Sequence, residues 1–396
     1  MAFTLLINPG SSSKKYSLFN GGRIVSSHRF ERAGQSFEVC TEQDGEQQKC
    51  EGVTGEEFQS SLHQVLDRYL QTHLIANLKE ITMVGVRLVA PGTFFQSHRI
   101  IDDMFLHKLR EREPAAPLHI PHTIMEIEIV RRELPHAQFI AVFDSQFHHT
   151  LPPHSRDYSI AREDTDEFDI HRFGYHGLSV ASVLRRFGEL RGELPSRVVV
   201  CHVGSGVSMT AVKDGVSIDT TMGFGPDSGL VMGTRAGDID AGALLELMRV
   251  KNIRSFDTLA YIQTKGGLRG LAGEADFRFI LERVAQEDGA AVNAMTHFVY
   301  QFHKKLGALH MALEGVDAII LTATAVERST SLRQMLLAPL EWFGIHLDVV
   351  KNESVVLTDG IITKDTSPIT AMVIRTKEIE EMYRVTMSFP PAPPLY

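Results

Sequence analysis

Apolar and polar positions alternate in two successive cycles along the chain. Residues 3–7, 16–19, 23–27 and 36–40 are short runs rich in β-branched and aromatic residues, and they predict strands joined by turns up to about residue 55. A helical period follows, with Phe58, Leu62, Val65, Leu66, Tyr69 and Leu70 on one face. Residues 81–89 and 138–143 look like buried parallel strands, and between them a helix carries Ile124, Ile127 and Val130. The second half repeats this order. Strands are expected at 197–202 and 208–213, helices at 241–250 and 292–312, and apolar strands again at 318–322 and 355–357. Strands followed by αβ alternation, occurring twice, predict two α/β domains of similar design, although the halves show no detectable self-similarity. The tail SFPPAPPLY is expected to run extended at the surface.

Composition narrows this picture. With 396 residues, 43% hydrophobic and 22% charged, the chain has the size and balance of a globular protein of more than one domain. A formal net charge of -9 argues against nucleic acid or an anionic membrane as partner, so any bound anion must be held by local basic groups. Neither a signal peptide nor a transmembrane run is found, and the expected location is cytoplasmic. Cys40, Cys50 and Cys201 are odd in number and lack metal-like spacing, which fits free thiols in a reducing compartment; a Cys40–Cys50 disulfide is the less favoured alternative.

Four segments carry candidate chemistry. NPGSSSKKYS (8–17) ends an apolar strand on Pro-Gly and then offers hydroxyl and ammonium donors, which suits either an anion-binding loop or a solvated hairpin. Residues 219–240, DTTMGFGPDSGLVMGTRAGDID, hold five glycines, four acidic residues and one arginine, Arg235, with almost no periodic apolar pattern. Such a segment is a functional loop, and a guanidinium fork matches phosphate or carboxylate oxygens; the alternative is that Arg235 pairs with Asp238 or Asp240. FDSQFHHTLP (143–152) sets Asp144 just beyond a buried strand, where α/β sheets commonly bind ligands. RFGYHGLS (172–179) brackets His176 with glycines, whereas His148 and His149 are expected to be structural. No HxxxH or HxH spacing supports a metal hydrolase.

Together with APLHIP (116–121) and HVGSGVS (202–208), these segments resemble, in order and over nearly the whole chain, the signature motifs of the acetate kinase family. Residues 219–240 are its most specific part. The resemblance implies two domains with an actin-like, ribonuclease-H-like βββαβαβα core and an active site in the interdomain cleft. It places one domain at 1–147, completed by 382–396, and the other at 148–381. Carried over by position, it implies that Asn8 and Lys15 face the phosphoryl group with Ser205 and Gly206. Arg87 and Arg235 would grip the carboxylate and the group in transfer, His176 would donate to it, and His119 would line the site. Asp144 and Glu378, with Asn8, would position Mg²⁺ or Mn²⁺. Val89, Leu118, Tyr175 and Pro226 would form the acyl pocket. The implied partners are a short carboxylate and ATP/ADP, with no nucleic acid or membrane, in a homodimer.

Departures from the family pattern gather on the nucleotide side. GVRLVAPG (85–92) keeps Arg87 but has Val86 and Ala90 where the family has histidines, and Ser205 replaces an asparagine. The Gly-Gly-Ile-Gly-Glu-Asn loop has become Ala323, Thr324, Ala325, Val326, Glu327 and Arg328, and Pro-Thr-Asn-Glu has become RTKE (375–378). Thr324 and Val326 are expected to resist a positive φ and to project toward a ligand, while Arg328, Arg375 and Lys377 add positive charge. Three readings follow: an ATP-dependent acetate kinase with a remodelled adenine pocket, a relative using pyrophosphate or another small donor, and a silent relative that binds a metabolite or protein.

Overall fold

The predicted alternation of inward and outward residues organises both sheets. The structure is a computed structural model that describes residues 2–10, 13–33, 36–43, 48–116 and 120–390. The chain divides into two units, residues 1–144 with 378–396, and residues 145–377. Leu118, His119 and the end of the proline-rich tail (391–396) lie outside the described residues.

In the first unit, β1 (Phe3–Asn8), β2 (Ser13–Asn20), β3 (Arg23–Ala33), β4 (Ser36–Gln43) and β5 (Lys49–Val53) form an antiparallel meander. Next come β6 (Ile81–Leu88), β7 (Arg99–Ile100) and β8 (Gln138–Phe143), giving the order β5-β4-β3-β2-β1-β6-β8-β7 with β1, β6 and β8 parallel. Period-two alternation sends Phe3, Leu5, Ile7, Tyr16, Leu18, Val84, Val86 and Leu88 to one face. There they form a core with Leu62, Val65 and Tyr69 of the helix Ser61–Gln71 and with Ile124, Ile127 and Val130 of the helix Ile120–Glu133. Each of these large side chains contributes about 1.5–3 kcal/mol of burial.

The helix Glu378–Met387 covers the other face. Phe19 stacks on Tyr383 with ring centroids 4.4 Å apart, and Thr4 Oγ1 donates to the Met387 sulfur at 3.4 Å. Gly85 makes this approach possible, because a Cβ there would lie 2.2 Å from Thr386 Oγ1 and 2.7 Å from Leu6 Cδ2.

The second unit has β9 (Arg197–Val203), β10 (Val207–Lys213), β11 (Val216–Thr220), β12 (Ala318–Thr322), β13 (Gly360–Ile361) and β14 (Thr370–Val373), in the order β11-β10-β9-β12-β14-β13. Strands β9, β12 and β14 are parallel. The helix Gly177–Arg191 packs Val180, Val183, Leu184 and Phe187 against Val198, Val200 and Ile320, and the helix Gly289–Ala312 packs on β9, β10 and β11. The core orders β3-β2-β1-β6-β8 and β11-β10-β9-β12-β14 follow the same plan. The expectation of two similarly built α/β domains holds.

Four local expectations change. Ser13, Lys14 and Lys15 belong to β2, so Lys14 turns into the unit's core, where it pairs with Glu126 at 2.9 Å. Only Lys15 is left for the site face. Residues 355–357 are not a strand: the helix Val349–Ser354 ends there and Leu357 has φ 53°. The predicted helix over 58–70 is broken at Ser60, whose N–H and hydroxyl both donate to Glu56 O. Cys40 and Cys50 form a disulfide, because the β4–β5 register sets them directly opposite, with Cα atoms 4.0 Å apart. KCEGV lacks an alternating pattern, so β5 is hidden in the sequence and the disulfide is the less favoured reading there.

Candidate active site

In the first unit, the candidate residues gather where the parallel strands end. Asn8 and Lys15 face each other as the last register pair of β1 and β2. Arg87 follows Val86, which pairs with Ile7, and Asp144 continues the β6–β8 ladder by donating its N–H to Leu88 O at 3.1 Å. The strand β6 buries Val86 and Leu88 on the core face and thereby turns Arg87 to the face covered by the helix that Glu378 begins.

Arg87 lies between two carboxylates. Nη2 donates to Asp144 Oδ1 and Oδ2 at 3.0 and 2.9 Å and to Glu378 Oε1 at 3.3 Å, while Nη1 donates to Glu378 Oε2 at 2.9 Å. Burial opposes the guanidinium's charge, but Asp144 and then Glu378 more than offset it and raise its pKa further above the usual range. The Lys15 ammonium is lowered, chiefly by burial, with Glu378 and Glu31 acting against the shift. Among the described residues no group of three His, Cys, Asp or Glu side chains could hold a metal. Two carboxylates are nevertheless a suitable donor set for Mg²⁺, which keeps several waters and is commonly bound by one or two carboxylates plus substrate phosphates.

In the second unit, His176 and Arg235 converge on one glycine. His176 precedes the helix Gly177–Arg191 in a left-handed conformation, φ 61° and ψ 19°. Its Nδ1 bonds Ser208 Oγ at 2.8 Å, and its ring stacks on His202 at 4.0 Å. His202 in turn bonds Ser179 Oγ at 2.9 Å. A hairpin through Gly204, Ser205 and Gly206 sets His202 opposite Ser208. A Cβ on Gly206 would lie 3.0 Å from His176 Nε2 and 3.3 Å from Arg235 Nη2. Ser205 is exposed and accepts the Gly233 N–H through its carbonyl.

The Arg235 loop is pinned by backbone. Met232 N–H donates to Arg235 O at 3.1 Å, Ala236 N–H donates to Ile262 O at 3.0 Å, and Arg235 Nη1 donates to Pro226 O at 2.7 Å. Asp238 holds Lys305 and the Gly229 N–H, and Asp240 caps the helix Ala241–Lys251 through the Ala243 N–H. Asp227, which the sequence did not single out, is a half-buried acid whose pKa is raised by desolvation against the pull of Gln263 and Arg235. Tyr175 is buried and donates its hydroxyl to Phe224 O at 2.6 Å.

His148 is structural, as expected. Fully buried, it bonds Ser217 Oγ through Nδ1 and Tyr175 O through Nε2, and burial lowers its pKa to about 4 against the Tyr175 hydrogen bond. It thereby fixes the residue before His176. The supporting residues Ser179, His202 and Ser208 are not singled out by the sequence, and only the GSG turn in HVGSGVS signals that His202 and Ser208 are paired.

The 323–328 segment corrects an expectation. The residue with positive φ is Ala323, at φ 76° and ψ 164°, while Thr324–Arg328 forms a short helix. Val326 does not project toward a ligand: it is 0% exposed, and its carbonyl accepts from Arg333 Nη1 at 2.6 Å. Thr324 and Arg328 are exposed and Ala325 half-buried. Glu327 ties the segment together, accepting from the N–H groups of Ala323 and Thr376 at 2.8 and 2.9 Å; burial raises its pKa against these bonds. Val89 is half-buried just beyond β6.

No helix among the described residues is long and apolar enough to cross a membrane. Residues 3–383 match the model of the Acetokinase family. The chain is 34% identical to the acetate kinase of Corynebacterium efficiens, with 98% of this chain and 100% of that protein covered. In structure it is similar to Porphyromonas gingivalis acetate kinase, with TM-score 0.86, 29% identity, and 98% and 99% of the two chains covered. It is similar also to a propionate kinase from Francisella tularensis, with TM-score 0.90, 27% identity, and 98% and 100% covered. A motif order that spans the chain, a doubled α/β plan and a match over 3–383 agree, and the chain belongs to the acetokinase family.

Proposed function

We propose that the protein transfers a phosphoryl group reversibly from ATP to acetate, giving acetyl phosphate and ADP. The observation that carries this reading is the convergence of His176 and Arg235 over Gly206. Donor and acceptor are both anions, and cationic groups must cancel their repulsion. Acetate is already ionised at neutral pH, so no general base is needed. Arg235 and His176 are taken to hold the group in transfer, with Ser208 fixing the imidazole ring. In comparable reactions an arginine touching this group is worth about 10³–10⁵ in rate. Asn8, Asp144 and Glu378 would hold a divalent cation, which neutralises charge on the phosphates. Lys15 and Arg87 would face the substrate anions, and Tyr175 and Pro226 would flank the acyl group.

Magnesium as the cation, a homodimeric assembly and a cytoplasmic location complete the proposal. A second reading concerns only the donor: a glycine-free 323–328 segment beside exposed Arg328, Arg375 and Lys377 favours pyrophosphate over ATP. Acyl-phosphate formation from acetate, measured with ATP and pyrophosphate in parallel, tests both. ATP-supported turnover supports the first and pyrophosphate-only turnover the second. Acetate binding without transfer from either donor would overturn both in favour of a silent relative.

A further inference from the structure

An inference about how Arg87 is engaged deepens the proposed function and rests on it. Both Nη2 protons and one Nη1 proton are committed to Asp144 and Glu378, and every oxygen of those two carboxylates accepts from the guanidinium. The fork that would hold a substrate anion is therefore already in use. One positive and two negative charges leave the trio itself at net −1, and the Lys15 ammonium, which feels Glu378, is the neighbouring cation. These carboxylates are also the groups that would bind the divalent cation.

We propose that Arg87 and a divalent cation compete for Asp144 and Glu378, so that cation binding releases the Arg87 fork to the substrate anion. A metal oxygen bond of about 2.1 Å is far shorter than the arginine hydrogen bonds and brings a like charge beside the guanidinium. The cation takes over the carboxylates and the trio changes from net −1 to net +1. Glu378 is the arm that yields first, since it is the more exposed partner, at 20% against 3% for Asp144, and one of its bonds is the long one at 3.3 Å. The exchange makes cation and substrate anion bind cooperatively, and by linkage each strengthens the other to the same degree.

The exchange predicts that removing Arg87 tightens metal binding, because Asp144 and Glu378 lose their competitor. Mn²⁺ is the probe, titrated without substrates into the full chain and counted by electron paramagnetic resonance. Arg87→Met is expected to bind Mn²⁺ about tenfold tighter or more, the scale on which one adjacent charge alters a carboxylate's ionic affinity. Arg87→Lys, which keeps the charge but not the fork, should fall between. Unchanged or weaker Mn²⁺ binding in a folded Met variant overturns the exchange, as does wild-type affinity in Arg87→Lys or no Mn²⁺ binding by any of the three. If the unaltered protein makes acetyl phosphate while these titrations fail, the function stands and the exchange falls. If Mn²⁺ tightens as expected but no transfer occurs, the reverse holds.

Discussion

Substituting glycine at three positions of the 323–328 segment should give three different outcomes. Ala323 sits at φ 76° and ψ 164°, a region that is essentially glycine-only and costs another residue about 1–3 kcal/mol. Glycine relieves that strain but frees the unfolded chain by about 0.4–1 kcal/mol. Ala323→Gly should therefore stabilise the second unit by about 1 kcal/mol, or about 2–4 °C in Tm for a domain of its size. Val326 is fully buried within a helix, so Val326→Gly loses its burial as well as helix propensity and should cost about 3 kcal/mol. Thr324→Gly, exposed on the same helix, should cost under about 1 kcal/mol. Differential scanning calorimetry reads the order of the three, and nucleotide titration reads the functional side: only Ala323→Gly should tighten ATP. A lower Tm for Ala323→Gly, or an unchanged Tm for Val326→Gly, would refute the reasoning.

Three further outcomes follow from the site. Arg235→Ala should lower kcat by about 10² or more, and Arg235→Lys should recover little, because an ammonium lacks the planar fork; full activity in the alanine variant removes Arg235 from the site. Gly206→Ala places a carbon 3.0 Å from His176 Nε2 and 3.3 Å from Arg235 Nη2, and should cut kcat about 10²-fold while leaving Tm nearly unchanged. His28 and His148 are both lowered by burial to about 4, so below pH 6.5 the unfolded state binds protons that the folded state refuses. Each should cost about 3 kcal/mol of stability as pH falls from 6.5 to 4, and a denaturation series flat over that range would contradict it.

The sequence made the framework legible because its strands obey simple periods. Residues 139–143 are an unbroken apolar run within β8, and the glycine-dense 219–240 segment advertises a loop and forms one once β11 ends at Thr220. What stayed hidden depends on a neighbour. Lys14 looks like a phosphate ligand until β2 turns it toward Glu126, over a hundred residues away. Val355 and Leu357 have strand-like side chains, but the backbone there serves other partners: Val355 O accepts from Arg333 Nη2, and the Leu357 N–H donates to Glu327 O. The pairing of Asp144 and Glu378 on Arg87 joins residues 291 positions apart, and nothing local announces it. Ala323 illustrates a further limit, since composition suggests that a residue will avoid positive φ while the bond its N–H donates to Glu327 Oε1 holds it there.

The alternation of Lys14 and Lys15 has a consequence for how this chain can change length. Asn8 and Lys15 form the last register pair of β1 and β2, and neighbouring residues on a strand point to opposite faces. An added or lost residue between Asn8 and Ser13 that slipped β2 by one place would turn Lys15 into the apolar core and Lys14 out of its pairing with Glu126. Tyr16 would also leave its hydroxyl partner, Ser61, at 2.9 Å. A connection that folding alone would let grow or shrink is thus measured to the residue, and homologous chains or engineered libraries that preserve activity should vary its letters while keeping its count.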